Sequence, residues 1–390
     1  MRPFRRVLIV FVALLALLAL WQRDRIARLS TVITLFDAGR IVGNFTSMGT
    51  VFETAPMPLA DVRPNQLAQG ASMTMPSGYR AWSEARAVTG IVVLKDGVIR
   101  HEAYPLSAPG RTDDPAQRTR ISWSVAKSFL SVLFGIVHEE GAIDSLDDPI
   151  TKYAPRLVGT AYDGARIRDV LQMSSGVVFD EDYLDFWSDI NKMGRVLAMG
   201  RSMDRFATGL DETFAQPGTD WQYVSIDTHV IGMVIRGATG RPIPELLNEK
   251  VLHPLRLTVE PHYVTDGHGV AFVLGGLNLT TRDYALFGHM VANGGIAFGQ
   301  RIVSKDWITE STRASAPTDP GEIGYGYQWW IPVGAEPGQF MGRGIYGQYL
   351  YIDTPRGVVI AVNGADRAFR EDGVNERNVA MFRQIAEALD

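Results

Sequence analysis

Cysteine is absent from the 390-residue chain, which excludes a thiol nucleophile, disulfide staples, an iron–sulfur cluster and any cysteine-ligated zinc site. Neither sign of charge dominates. The formal net charge is −5, and without a basic stripe a nucleic-acid partner is not expected. No H-E-x-x-H, Walker loop or G-x-S-x-G elbow occurs, and the seven histidines are scattered, so neither a metal nor a cofactor is expected. Of these, His229 and His289 sit in apolar helical stretches and read as core residues. Lysine is scarce: Lys95, Lys127, Lys152, Lys192, Lys250 and Lys305 stand beside 32 arginines. What the chain has in quantity is apolar surface. Hydrophobic residues make up 46% of it, enough at this length to bury a sizeable core.

The longest hydrophobic run is short. Arg2, Arg5 and Arg6 precede an apolar stretch from Val7 to Trp21, a basic region followed by a hydrophobic one, as in export signals. At 1.5 Å per residue the stretch spans roughly 22 Å, against a hydrocarbon core of ~30 Å. Length favours an export signal, but with no A-x-A at the end of the run an uncleaved membrane anchor through residues 7–21 is preferred over a cleaved signal segment for residues 1–29. The remainder would then be extracytoplasmic, in the periplasm. Residues 30–80 lack periodicity and read as an arm or linker.

Residues 81–385 read as one domain. Gly90 to Tyr104 holds two β-rich runs around Lys95-Asp96-Gly97, a hairpin pattern. Ser124 to Val137 is apolar on nearly every side and predicts a buried helix. A region at about 138–270 is mainly helical in pattern, clearest at Arg166 to Met173 and Ile226 to Ala238. Strands are predicted at 348–353 and 357–363, joined by Thr354-Pro355-Arg356, and an amphipathic helix at 375–389. The fold class is therefore α+β: an antiparallel sheet flanked by helices and completed by distant segments, with an α-rich insertion.

Ser124 and Lys127 form an S-x-x-K, three residues apart and hence on one helical face. A serine hydroxyl needs a base, and a lysine can be one when burial lowers its pKa. The apolar residues downstream supply that burial. Tyr223-Val224-Ser225 opens a second helical stretch, where a tyrosine hydroxyl can enter a cleft as a second proton carrier. Gly342 to Gly347 matches G-x-G-x-x-G, but a strand follows it, so a dinucleotide loop is rejected. A glycine-rich strand edge instead permits close approach of a substrate and an N–H for an oxyanion.

The order S-x-x-K, Y-x-S, glycine-rich strand resembles the penicillin-recognising serine hydrolase superfamily, which includes class C β-lactamases, DD-peptidases and esterases. Asp169 to Gly176, Gln216-Pro217-Gly218, Gly275 to Asp283 and Tyr325 to Trp330 extend the likeness. Phe179 to Tyr183 and Gly344 to Gln348 look most like the 6-aminohexanoate-dimer hydrolases and related esterases. The resemblance implies Ser124 as acylated nucleophile, Lys127 as base and Tyr223 as proton shuttle. It also implies an oxyanion between the backbone N–H groups of Ser124 and Ile345, with Ser225 and Tyr183 touching substrate. The usual K-T-G is replaced by Arg343-Gly344-Ile345, where Arg343 could take over as a carboxylate ligand. The reading is a serine hydrolase cleaving a small amide or ester. The alternatives are a β-lactamase or DD-peptidase, and a membrane-tethered binding protein without activity. The acidic residues 180–182 are expected to flank the cleft and favour a substrate amine.

Overall fold

In the computed structural model, which describes residues 2–65 and 67–390, the expected hairpin pairs Val88–Lys95 with Val98–Ala103. Asp96 and Gly97 turn it with positive φ, a conformation that Asp-Gly supplies at low cost. The C-terminal strands Gln348–Asp353 and Val358–Gly364 form as expected. Val358–Gly364 pairs with Val88–Lys95, so the two ends of the domain meet in one sheet. Among the described residues this sheet has seven antiparallel strands. Its spatial order is Val98–Ala103, Val88–Lys95, Val358–Gly364, Gln348–Asp353, Gln339–Gly344, Trp330–Ile331, Gly324–Tyr325. The central strands are buried on both faces, which explains their nearly unbroken runs of Val and Ile.

One face packs on the helix Val374–Glu387, where Phe382 meets Trp82, Tyr349 and Tyr351. The other face packs on the helix Thr281–Ala292, fixed at its start by a capping box between Thr280 and Asp283. Behind it lies the helix Ala126–Glu139, buried from Ala126 through Val137. Phe129 stacks on Phe287 across that contact, with ring centroids 3.6 Å apart. In the α-rich region Ile167–Leu171 and Ser225–Thr239 are helical, and His229 is buried as expected, bonded to Asp204.

Residues 30–80 do more than connect. Leu35, Ile41, Phe45, Met48, Phe52 and Met57 are buried in the main core. Thr54–Pro56 pairs with His262–Val264 at the edge of a second sheet, continued by Leu277–Leu279 and Arg120–Ile121. That sheet delivers the chain directly to Ser124. The membrane anchor finds no support. The apolar run lies in a helix, Arg2–Trp21, with Phe4, Val7 and Ile9 exposed. Among the described residues no helix is long and apolar enough to cross a membrane.

Candidate active site

Ser124 lies in a short 3-10 turn, Trp123–Val125, that leads into the helix Ala126–Glu139. Helical spacing brings Lys127 back beneath it, with Lys127 Nζ 3.0 Å from Ser124 Oγ. The lysine is 1% exposed. Its other partners are Ser225 Oγ at 3.2 Å and the Leu274 carbonyl at 2.9 Å. Burial pulls the Lys127 ammonium down to about 7, with Glu181 and Asp227 opposing the shift. A substantial fraction is therefore neutral amine near neutral pH.

The partners decide where that amine points its lone pair. A neutral amine has two N–H groups and one lone pair. Leu274 offers a carbonyl, which can only accept. Ser225 donates its hydroxyl hydrogen to Glu181 Oε1, so toward Lys127 it too can only accept. Ser124 is the one remaining partner free to donate, and the lone pair faces its hydroxyl.

Glu181 was not singled out as a site residue in the sequence. Its carboxylate also accepts the Ser225 backbone N–H at 3.0 Å and the Tyr183 hydroxyl. Asp182, its neighbour, is bonded to Arg370 at 2.6 Å. Within the acidic stretch 180–182, expected to flank the cleft and favour a substrate amine, Glu181 and Asp182 are thus engaged with the protein's own groups. The visible signal was the acidic run itself; its inward turn depends on the loop's packing.

Asp227 sits in the first turn of the helix Ser225–Thr239, fully buried. It accepts from Tyr162 at 2.6 Å and from Ser175 at 2.9 Å, and burial lifts its carboxyl to about 7. Tyr223 precedes that helix. Burial raises its phenol above the usual value, so it stays protonated. Its ring stacks on Trp330 at 4.9 Å, and Lys127 Nζ lies 5.4 Å from its centroid.

Gly344 closes the site from the sheet. A Cβ there would lie 3.0 Å from the Ser124 nitrogen and 3.0 Å from the Ser122 carbonyl, so only glycine fits. Ile345 follows and lines a pocket together with Ser124, Ser225 and Tyr183. Arg343, expected at the substrate, lies on the Tyr223 side of the site, where its charge reaches the phenol. Alternation along the strand turns Gly342 and Gly344 toward the nucleophile, while the Arg343 guanidinium stacks on Trp330 at 4.3 Å. Tyr223 stacks on the same Trp330 ring. Among the described residues no cluster of His, Asp or Glu could hold a metal ion.

The sequence pattern described as Beta-lactamase matches residues 80–381. A 6-aminohexanoate-dimer hydrolase from Paenarthrobacter ureafaciens is 34% identical over 255 residues, which cover 61% of this chain and 64% of that protein. The chain thus spans less than two thirds of that relative's length. Among solved structures, a Bacillus anthracis protein described as a 6-aminohexanoate-dimer hydrolase superposes with a TM-score of 0.80 at 20% identity, over 91% of this chain and 96% of that one. A family VIII carboxylesterase superposes with a TM-score of 0.59 at 16% identity, over 82% and 99%. At those identities the likeness is one of fold.

Proposed function

The chain belongs to the beta-lactamase family, and from that premise we propose that it is a serine hydrolase opening a small ester or amide through an acyl-enzyme. The observation that carries the proposal is the buried contact between Lys127 and Ser124, with the lone pair of the neutral amine directed by the other two partners. Ser124 Oγ attacks the carbonyl carbon while its proton passes to Lys127. The oxyanion is held by the backbone N–H groups of Ser124 and Ile345. As the tetrahedral species collapses, Tyr223, kept protonated by burial, gives its proton to the leaving oxygen or nitrogen and recovers one from Lys127. Water then adds to the acyl carbon along the same relay in reverse, and Ser124 is released.

A β-lactam or cell-wall peptide substrate has less support. The K-T-G lysine that would meet its carboxylate is missing. The test is active-site labelling. A fluorophosphonate should label the wild-type protein and leave Ser124→Ala unlabelled; equal labelling of both would remove Ser124 from its role.

A further inference from the structure

We infer that the acyl group this enzyme accepts is uncharged and aliphatic, and that it is selected by a wall built from residues 32–52, outside the stretch matching the family pattern. The inference rests on Ser124 being the acylated residue. Three observations carry it.

The pocket beside Ser124 is lined almost entirely by apolar side chains, and among the described residues none that line it is charged. Leu35, Met48 and Phe52 form one side, and Met193 and Leu197 of the helix Asp189–Ala198 face them. A charged group carried into this space would lose its water without a partner.

The pocket lies on the acyl side of the reaction. Tyr223, the proton donor to the leaving group, is not among its lining residues; its ring stacks on Trp330. The leaving group therefore departs toward Tyr223, and the pocket, which Ile345 also lines, is left for the acyl chain.

The wall is fastened to the reacting backbone. Phe36 stacks on Tyr346 at 4.5 Å and 15°, and Phe45 meets Trp123 edge-on at 5.4 Å. Trp123 and Tyr346 are the direct neighbours of Ser124 and Ile345. Both hold the left-handed backbone, with φ of 40° and 58°, which large side chains adopt only when their surroundings impose it. Residues 32–52 thus shape the pocket and clamp the two residues that aim its N–H groups.

The test compares p-nitrophenyl acetate, hexanoate, octanoate and 6-aminohexanoate on the full chain. The wild-type protein should show kcat/KM at least about tenfold higher for hexanoate than for acetate, since each methylene in an apolar pocket adds several-fold. The 6-aminohexanoate ester should fall at least about tenfold below hexanoate. Gly194 lines the pocket, and a Cβ there meets nothing within 4 Å. Gly194→Leu should therefore fold and collapse the hexanoate-to-acetate ratio. Met48→Ala should move the preferred chain to longer esters. A flat chain-length profile, equal rates for the amino and plain hexanoates, or a Met48→Ala profile like wild type would overturn the inference. Should Ser124→Ala still label with a fluorophosphonate, the acyl-enzyme reading itself falls; a flat profile with labelling confined to wild type removes only the apolar wall.

Discussion

The floor and the wall of the pocket around Ser124 are built by opposite means. The floor is polar and small: Lys127, Ser225, Glu181 and the Leu274 carbonyl satisfy one another, and their hydrogen-bonding capacities leave one orientation for the amine. The wall is apolar and broad, assembled from short segments between Val32 and Phe52. Reactivity demands that a few atoms be aimed within tenths of an ångström. Selectivity demands only area and the exclusion of water. A fault in the floor should therefore cost rate with little loss of stability, and a fault in the wall should cost stability first.

The sharpest way to break this contrast is at Lys127. Lys127→Ala removes the base and should lower kcat/KM for any accepted ester by about 10²–10⁴-fold. Lys127→Arg keeps the charge but has no accessible lone pair and should be as inactive. Circular dichroism of both should remain native. An arginine variant with more than about a tenth of wild-type activity would mean that the proton leaves Ser124 by another route.

The counterpart in the wall is Phe45, which is 4% exposed and packs on Phe36, Trp123 and Tyr346. Phe45→Ala should destabilise the protein by about 3–5 kcal/mol in chemical unfolding of the full chain. An unchanged midpoint would show that residues 32–52 hang on the domain without sharing its cooperativity, and the contrast with the floor would dissolve.

The two regions were also unequally legible. Ser124 and Lys127 could be read because helical spacing forces them together and the apolar residues after them force burial. The hairpin, the C-terminal strands and the terminal helix followed from period and turn chemistry in the same way. The wall could not be read. Its helices Ile41–Asn44 and Met48–Val51 are four residues long, too short to carry a period, and their burial depends on chain far away in sequence. Glu181 was hidden for a related reason, since nothing local says which of three consecutive acidic residues turns inward. Arg343 is different: strand alternation with Gly342 and Gly344 turns it from Ser124 toward the Trp330 ring on which Tyr223 stacks.

Glu181 tests the floor more finely than Lys127 does. Activity requires neutral Lys127, so kcat/KM should rise with pH through a midpoint near the lysine's value of about 7. Glu181 raises that value, opposing burial; Glu181→Gln removes the charge, and the acid limb should move to lower pH. The plateau should nevertheless fall, by about tenfold. A glutamine can present its N–H to Ser225 Oγ, which frees the Ser225 hydrogen to approach the lysine lone pair in competition with Ser124. Simple loss of a structural contact would lower the plateau and leave the midpoint in place. A rate–pH profile of Glu181→Gln whose acid limb stays at wild-type pH, or moves upward, would show that Glu181 does not tune Lys127, and an undiminished plateau would show that it does not fix the direction of the lone pair.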